Sequence, residues 1–232
     1  MTSRADLSFV AFALAAAAIC IRLGVWQLER REERLARNAA ELAERSKPPI
    51  DLAQGGTLVP HRRIRASGTF DFEREIVLRG RAFEGVPGVE LVTPLRLPGR
   101  DTALLVHRGF VASPDAATVD ASQHWESPEA EVEGLALPIP EGSDDSAPIL
   151  ASGRETWRRL DLTALRSRLP YPIHDAYLLA ESPAGVAGAP RRIPPPSLDE
   201  GPHLNYAIQW FAFATIALIG SGAYLVTRRG KR

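Results

Sequence analysis

Sulfur is nearly missing from this sequence. Its 232 residues include one cysteine, Cys20, and one methionine, Met1. A lone cysteine excludes an internal disulfide framework and any paired-cysteine zinc spacing. The shortage of methionine argues against a Cu(I) carrier, which needs soft sulfur ligands. GxSxG, HExxH, Walker and GxGxxG motifs are absent too, which weakens hydrolase, metallopeptidase and nucleotide-binding readings, and no enzyme activity is expected. Neither sign of charge is in excess: 28 Lys and Arg balance 28 Asp and Glu. Without a basic surplus no nucleic-acid partner is expected. No internal repeat is visible.

Two long apolar runs are present. Tyr206 to Val226 is a run of 21 residues without a formal charge, a helix of about 31 Å that matches a hydrocarbon core of roughly 30 Å. It reads as a membrane span over 206–226. The other run starts at Leu7 and continues past Arg22 to Trp26, giving a span over 7–27 in which Arg22 reaches for the headgroups. A cleaved signal peptide, or a lipoprotein processed at Cys20, is the alternative for this run. The terminal tryptophan, the bulky Ile19 and the helical pattern that follows favour an uncleaved anchor in membrane lipid.

Two spans put both termini on one side and the intervening residues on the other. The short basic tail 227–232, with Arg228, Arg229, Lys231 and Arg232, assigns the termini to the cytoplasm. Arg30, Arg31, Arg34 and Arg37 argue the other way, but they stand among Glu29, Glu32 and Glu33 and head a long domain, where basic residues count for less. The expected placement is a two-pass protein of a bacterial inner membrane, because six residues ahead of the first span leave no room for a mitochondrial transit peptide.

Leu28, Leu35 and Leu42 recur every seven residues, and Glu33/Arg37 and Glu41/Arg45 are i,i+4 pairs, so the first span is expected to continue as a helical stalk over 28–46. Lys47-Pro48-Pro49 ends it. From His61 the pattern alternates, and "EIVLRGRA", "GVELVTPLRL", "TALLVHRGFVA", "AEVEGLALPI" and "PIHDAYLLAE" read as strands with short connections. One short helix is expected over 162–169, capped by Asp161 and stopped by Pro170. The fold class is therefore an α+β membrane protein: two transmembrane helices, N- and C-terminal, around one β-rich, mainly antiparallel extracytoplasmic domain over 61–182. Residues 138–153 read as a polar loop, and 183–203 as a proline-rich linker.

Of the five histidines, His61 and His124 read as solvated loop residues and His107 and His174 as structural ones; Asp144-Asp145 reads as a loop pair. His203 differs. On a helix His203, Tyr206, Ala207, Trp210, Ala214, Ala217 and Ser221 share one face. Ala11, Ala15 and Ala18 of the first span offer a matching small set. Two readings stay open: interface-belt aromatics over a small packing stripe, or an imidazole at the membrane surface that ligates a lipophilic metal macrocycle.

Six stretches, "LGVWQLERRE", "GTFD" at 68–71, "VTPL" at 92–95, "LLVHRGFV" at 104–111, "WRRLDL" at 157–162 and "HLNYAIQWF" at 203–211, resemble in order the Surfeit locus cytochrome c oxidase assembly factors. The resemblance implies an assembly factor for haem-copper oxidase that transiently binds haem a, with oxidase subunit I and haem a synthase as partners. It makes His203 the iron ligand, with Tyr206, Trp210, Gly24, Trp26 and Gln27 around the cofactor. Arg108, Gly109 and Trp157 become the partner-binding residues. His107 departs from an asparagine usual in the family, and "ASGRET" replaces an asparagine-rich approach to Trp157. A cofactor-free scaffold that stabilises an oxidase intermediate is the alternative.

Overall fold

A computed structural model describes residues 4–142, 148–151, 154–181 and 188–230. The Asp144-Asp145 pair, Lys231 and Arg232 of the basic tail, and the start of the proline-rich segment, through residue 187, lie outside the described residues. The chain divides into two compact units, Met1–Glu41 with Ser197–Arg232, and Leu42–Pro196.

Helix α1 runs from Arg4 to Arg45. Alanine, leucine, glutamate and arginine dominate it, and no proline interrupts it until Pro48. The expected stalk is its C-terminal part. In the second unit the elements follow in order as β1 (Ile50–Asp51), β2 (Arg63–Phe70), β3 (Ile76–Phe83), β4 (Val86–Arg96), β5 (Ala103–Ala112), β6 (Glu129–Pro138), β7 (Ile149–Ala151), β8 (Arg154–Trp157), α2 (Leu162–Arg168) and β9 (Ile173–Ala180). Helix α3, His203–Gly230, closes the sequence. The expected cap is made: the Asp161 carboxylate accepts from the Ala164 amide at 2.9 Å.

Among the described residues the strands form one sheet in the order β1-β2-β6-β9-β5-β4-β3-β8-β7, and β2 also pairs with β4 through Thr69/Arg96 and Phe70/Leu95. That extra pairing closes β2, β6, β9, β5 and β4 into a ring. Six of the pairings are antiparallel and three, β1/β2, β3/β8 and β5/β9, are parallel. Alternation sorts the core. Leu104 and Val106 of β5 point into the ring with Ile64, Phe70, Leu95 and Leu178. Ala103 and Leu105 point the other way, where α2 covers them with Leu162 and Leu165. Strand β5 is thus buried on both faces, which explains its almost unbroken apolar run.

In the first unit α1 and α3 run antiparallel, as their contacts require. Phe9 and Tyr224 have ring centroids 4.6 Å apart, and the Tyr224 hydroxyl donates to Asp6 at 3.0 Å, while Gln27 meets His203 at the other end. On α3 the small stripe is buried at Ala207, Ala214 and Ser221, as its spacing predicts. On α1 the matching face is not Ala11, Ala15 and Ala18, which are exposed, but Ala13, Ala17 and Gly24. A shift of two residues turns a helix by about 200°, so an alanine-rich run hides which of its alanines face the partner. Both helices are long and apolar enough to cross a membrane. Their outward faces carry Phe12, 73 % exposed, and Ile219, 67 % exposed, apolar surface of the kind that suits a lipid environment.

Candidate functional site

His203 is the first residue of α3 and follows Pro202. Its Nδ1 lies 2.8 Å from Oε1 of Gln27 on α1. A carbonyl oxygen only accepts, so Nδ1 carries the hydrogen and donates it, and in the neutral ring Nε2 then keeps its lone pair. Among the described residues Nε2 has no protein partner. This is the arrangement found behind metal-bound histidines, where one ring nitrogen is held by a neighbouring acceptor and the other is left free to ligate.

The other residues expected at the site have these surroundings. Gly24 lies one turn from Gln27 along α1, packed so tightly that a Cβ there would stand 2.6 Å from Cε1 of Phe211. Trp26 is 40 % exposed and Tyr206 is 47 % exposed, while Trp210 is half-buried and meets Phe213 edge-on at 6.0 Å. The Arg30 guanidinium sits 5.6 Å from the Trp26 ring centroid. Gly24, Gln27 and His203 are therefore brought together at one end of the helix pair, with Trp26 and Tyr206 presenting open aromatic surface.

A clasp next to them was not foreseen. Arg34 donates to the Asp199 backbone carbonyl at 2.8 Å and to its carboxylate at 2.7 Å, Asn38 donates to the same carbonyl at 2.9 Å, and Arg31 holds Glu200 at 2.6 Å. These bonds fasten the approach to His203 along α1. The acidic pair at 199–200 opposite an arginine-rich helix was the available signal. Arg31 and Arg34 of α1 thus both have acidic partners. Each exposed pair stabilises by less than about 1 kcal/mol, so the clasp acts by number.

Arg108, Gly109 and Trp157 lie in the other unit and are buried. Register slips by one residue between Leu91/Gly109 and Val92/His107, leaving Arg108 as the extra residue of a β-bulge. Its guanidinium has no exposed surface and donates to Glu75 at 2.5 Å, to Glu126 at 3.0 Å and to the His124 carbonyl. Thr93 donates to the same Glu75 oxygen at 2.6 Å. Arg192 donates to Glu126 at 2.7 Å and to the Arg108 carbonyl, so two arginines and two glutamates compensate one another in the interior. Burial pushes the Glu126 carboxyl up, but Arg192 and Arg108 outweigh it and hold it below the ordinary carboxylate range. Gly109 has φ +133°, and a Cβ there would meet the Arg191 carbonyl at 2.3 Å; the space is taken by Arg191, which pairs with Phe110 in both directions at 2.8 Å. Part of the expected linker is thus pinned to β5. Trp157, on β8, is 3 % exposed under the Arg168 guanidinium, 5.6 Å from its ring centroid.

The remaining histidines have separate surroundings. His124 Nδ1 donates to the Gly188 carbonyl at 2.7 Å. Burial and the nearby Arg100 charge hold the His174 pKa down, against Asp175. His107 is almost wholly buried and its Nε2 lies 3.1 Å from Glu90. Among the described residues no cluster of three or more His, Cys, Asp or Glu is placed to hold a metal ion.

The model described as the SURF1 family matches residues 14–215. A SURF1-like protein of Rickettsia felis is 28% identical over 91% of this chain and 92% of its own. An uncharacterized SURF1-like protein of Mycobacterium bovis is 26% identical over 90% of this chain and 80% of its own. Surfeit locus protein 1 of Rattus norvegicus is 25% identical over 86% of this chain and 70% of its own.

Proposed function

The chain belongs to the SURF1 family, known generally as cytochrome oxidase assembly factors, and from that premise we propose that it carries haem a as cargo at a membrane surface and hands it to oxidase subunit I. The observation that carries this reading is the His203/Gln27 pair, which leaves Nε2 of a half-buried imidazole as a free lone pair at the end of a helix long and apolar enough to cross a membrane. His203 would hold the iron. Trp26, Tyr206 and Trp210 would border the ring, and Gly24 lets α3 approach α1 closely enough for Gln27 to reach the imidazole. The donor set fits such a cargo, since a haem needs one axial imidazole and an apolar wall.

One imidazole suits a donor. With association near about 10⁶ M⁻¹s⁻¹, a Kd of about 1 nM holds a ligand for roughly ten minutes, whereas about 1 μM releases it in about a second. A carrier belongs towards the weaker end. In this proposal the protein sits in a bacterial inner membrane with both termini cytoplasmic, and Leu42–Pro196 docks outside on subunit I or on haem a synthase. Arg108, Gly109 and Trp157, being buried, serve docking indirectly by fixing the surface above them. The test is oxidase maturation in a haem-a-producing bacterium whose own copy is deleted. Wild-type chain restores haem a in subunit I, and His203→Ala at equal expression does not. Full maturation with His203→Ala would overturn the carrier reading in favour of a cofactor-free scaffold.

A further inference from the structure

The second unit contains a cleft of about 250 Å³ that the haem reading does not use. Leu78, Leu137, Leu160 and Leu179 supply apolar wall, and Pro194 and Pro196 of the segment after β9 form a rim. Polar groups converge on it from four strands and the turn before α2. Arg81 Nε and His107 Nε2 both approach one Glu90 oxygen, each at 3.1 Å. Burial raises the Glu90 carboxyl, yet the His107 hydrogen bond and the Arg81 charge prevail and keep it ionised below its ordinary range. That negative charge is therefore compensated within the lining.

Three groups of the lining are not. Arg159 has neither an ion pair nor a hydrogen bond among the described residues. The Tyr177 hydroxyl, on a ring that burial and Glu90 push upward in pKa, has no hydrogen-bond partner among them either. Nδ1 of His107 is buried with no partner. An exposed guanidinium and a half-buried phenol hydroxyl, neither with a partner among the described residues, thus stand at the edge of an apolar cleft. Such a pocket, mostly apolar with a few convergent polar groups, has the build of a small-molecule site.

We propose that this cleft binds a small apolar carboxylate, with its hydrocarbon body among the leucines and its carboxylate held by Arg159 and the Tyr177 hydroxyl. The guanidinium fork matches a carboxylate in shape and charge. An engineered cavity of about 150 Å³ takes a benzene ring, so this larger volume suits a body of about eight carbons. The site lies in a different unit from His203 and stands or falls apart from haem carriage.

The test uses the full chain in lipid nanodiscs, titrated calorimetrically with octanoate, with empty nanodiscs as blank and octylammonium and octan-1-ol as matched probes. Octanoate binds saturably at one per chain, and octylammonium does not. Arg159→Gln, an exposed position whose change leaves the fold intact by circular dichroism, weakens octanoate about tenfold and leaves octan-1-ol unchanged. Tyr177→Phe weakens octanoate by a smaller factor, and haem content is the same in both variants. No saturable heat above the blank, octylammonium binding as tight as octanoate, or an unchanged octanoate affinity in Arg159→Gln would each overturn the proposal.

Discussion

Nδ1 of His203 donates to Oε1 of Gln27 across 2.8 Å, joining residues 176 positions apart in sequence. The bond selects the tautomer with Nε2 free, so Gln27 acts on any ligand of His203 without touching it. Gln27→Leu removes the acceptor at little change in bulk, and metal affinity falls by about 10- to 100-fold. Gln27→Glu keeps an acceptor and keeps affinity near wild type. Titration of the purified chain with haem, followed by absorbance, reads both, and equal affinity in Gln27→Leu contradicts the positioning role.

Gly24 and Phe211 define how near the two terminal helices come. A Cβ at Gly24 would stand 2.6 Å from the Phe211 ring, closer than packed carbons tolerate, so Gly24→Val forces the ring or the helix to move. The expected cost is about 1–3 kcal/mol, seen as a lower thermal midpoint in nanodiscs and as weaker haem binding through loss of Gln27/His203 contact. Phe211→Leu in the same chain recovers part of both.

Arg108 predicts a larger effect. Its side chain is wholly buried against Glu75 and Glu126, and removing one partner of a buried pair costs about 3–5 kcal/mol. Arg108→Met should therefore lower the urea midpoint sharply when unfolding is followed by tryptophan fluorescence. Adding Glu75→Gln removes the stranded charge and recovers part of the loss. A midpoint unchanged in Arg108→Met contradicts the network.

Stability should fall in two steps as pH drops. The folded pKa of His174 is depressed by burial and Arg100, so the folded state resists its protonation; the contribution is complete above the unfolded histidine value of about 6.5 and is lost as pH falls through the folded one. The folded pKa values of Glu126 and Glu90 are depressed too. Their contribution is complete above the unfolded glutamate value of about 4.3 and is lost below it. His174→Gln removes the upper step and leaves the lower one, as thermal midpoints across the pH range would register.

Much of this architecture was legible in the residues. Period-two alternation marks β2, where Ile64, Ala66 and Phe70 are buried, and Asp161 with Pro170 bounds α2 because capping and proline chemistry are local. What stayed hidden depends on distant partners. Strand β7 is a short edge whose Ile149 and Leu150 are exposed, so no burial pattern announces it. The face that α1 turns towards α3 is not legible either, because alanines crowd every side of it. Arg108 looks like a surface residue in sequence, and only a bulge opposite Leu91 and Val92 with glutamates 33 residues before and 18 residues after it turns it inward. For the candidate site, His203 and its aromatic neighbours were readable from helical spacing, whereas the hydrogen bond to Gln27 and the Asp199/Glu200 clasp arise from the antiparallel pairing of the two chain ends.

The most direct measurement is the Soret absorbance per chain of protein purified from cells that make haem a, for wild type and His203→Ala, each with and without added imidazole. The account predicts a haem band in wild type, most of it lost in His203→Ala and partly restored by imidazole. Equal haem content in the two proteins would contradict it.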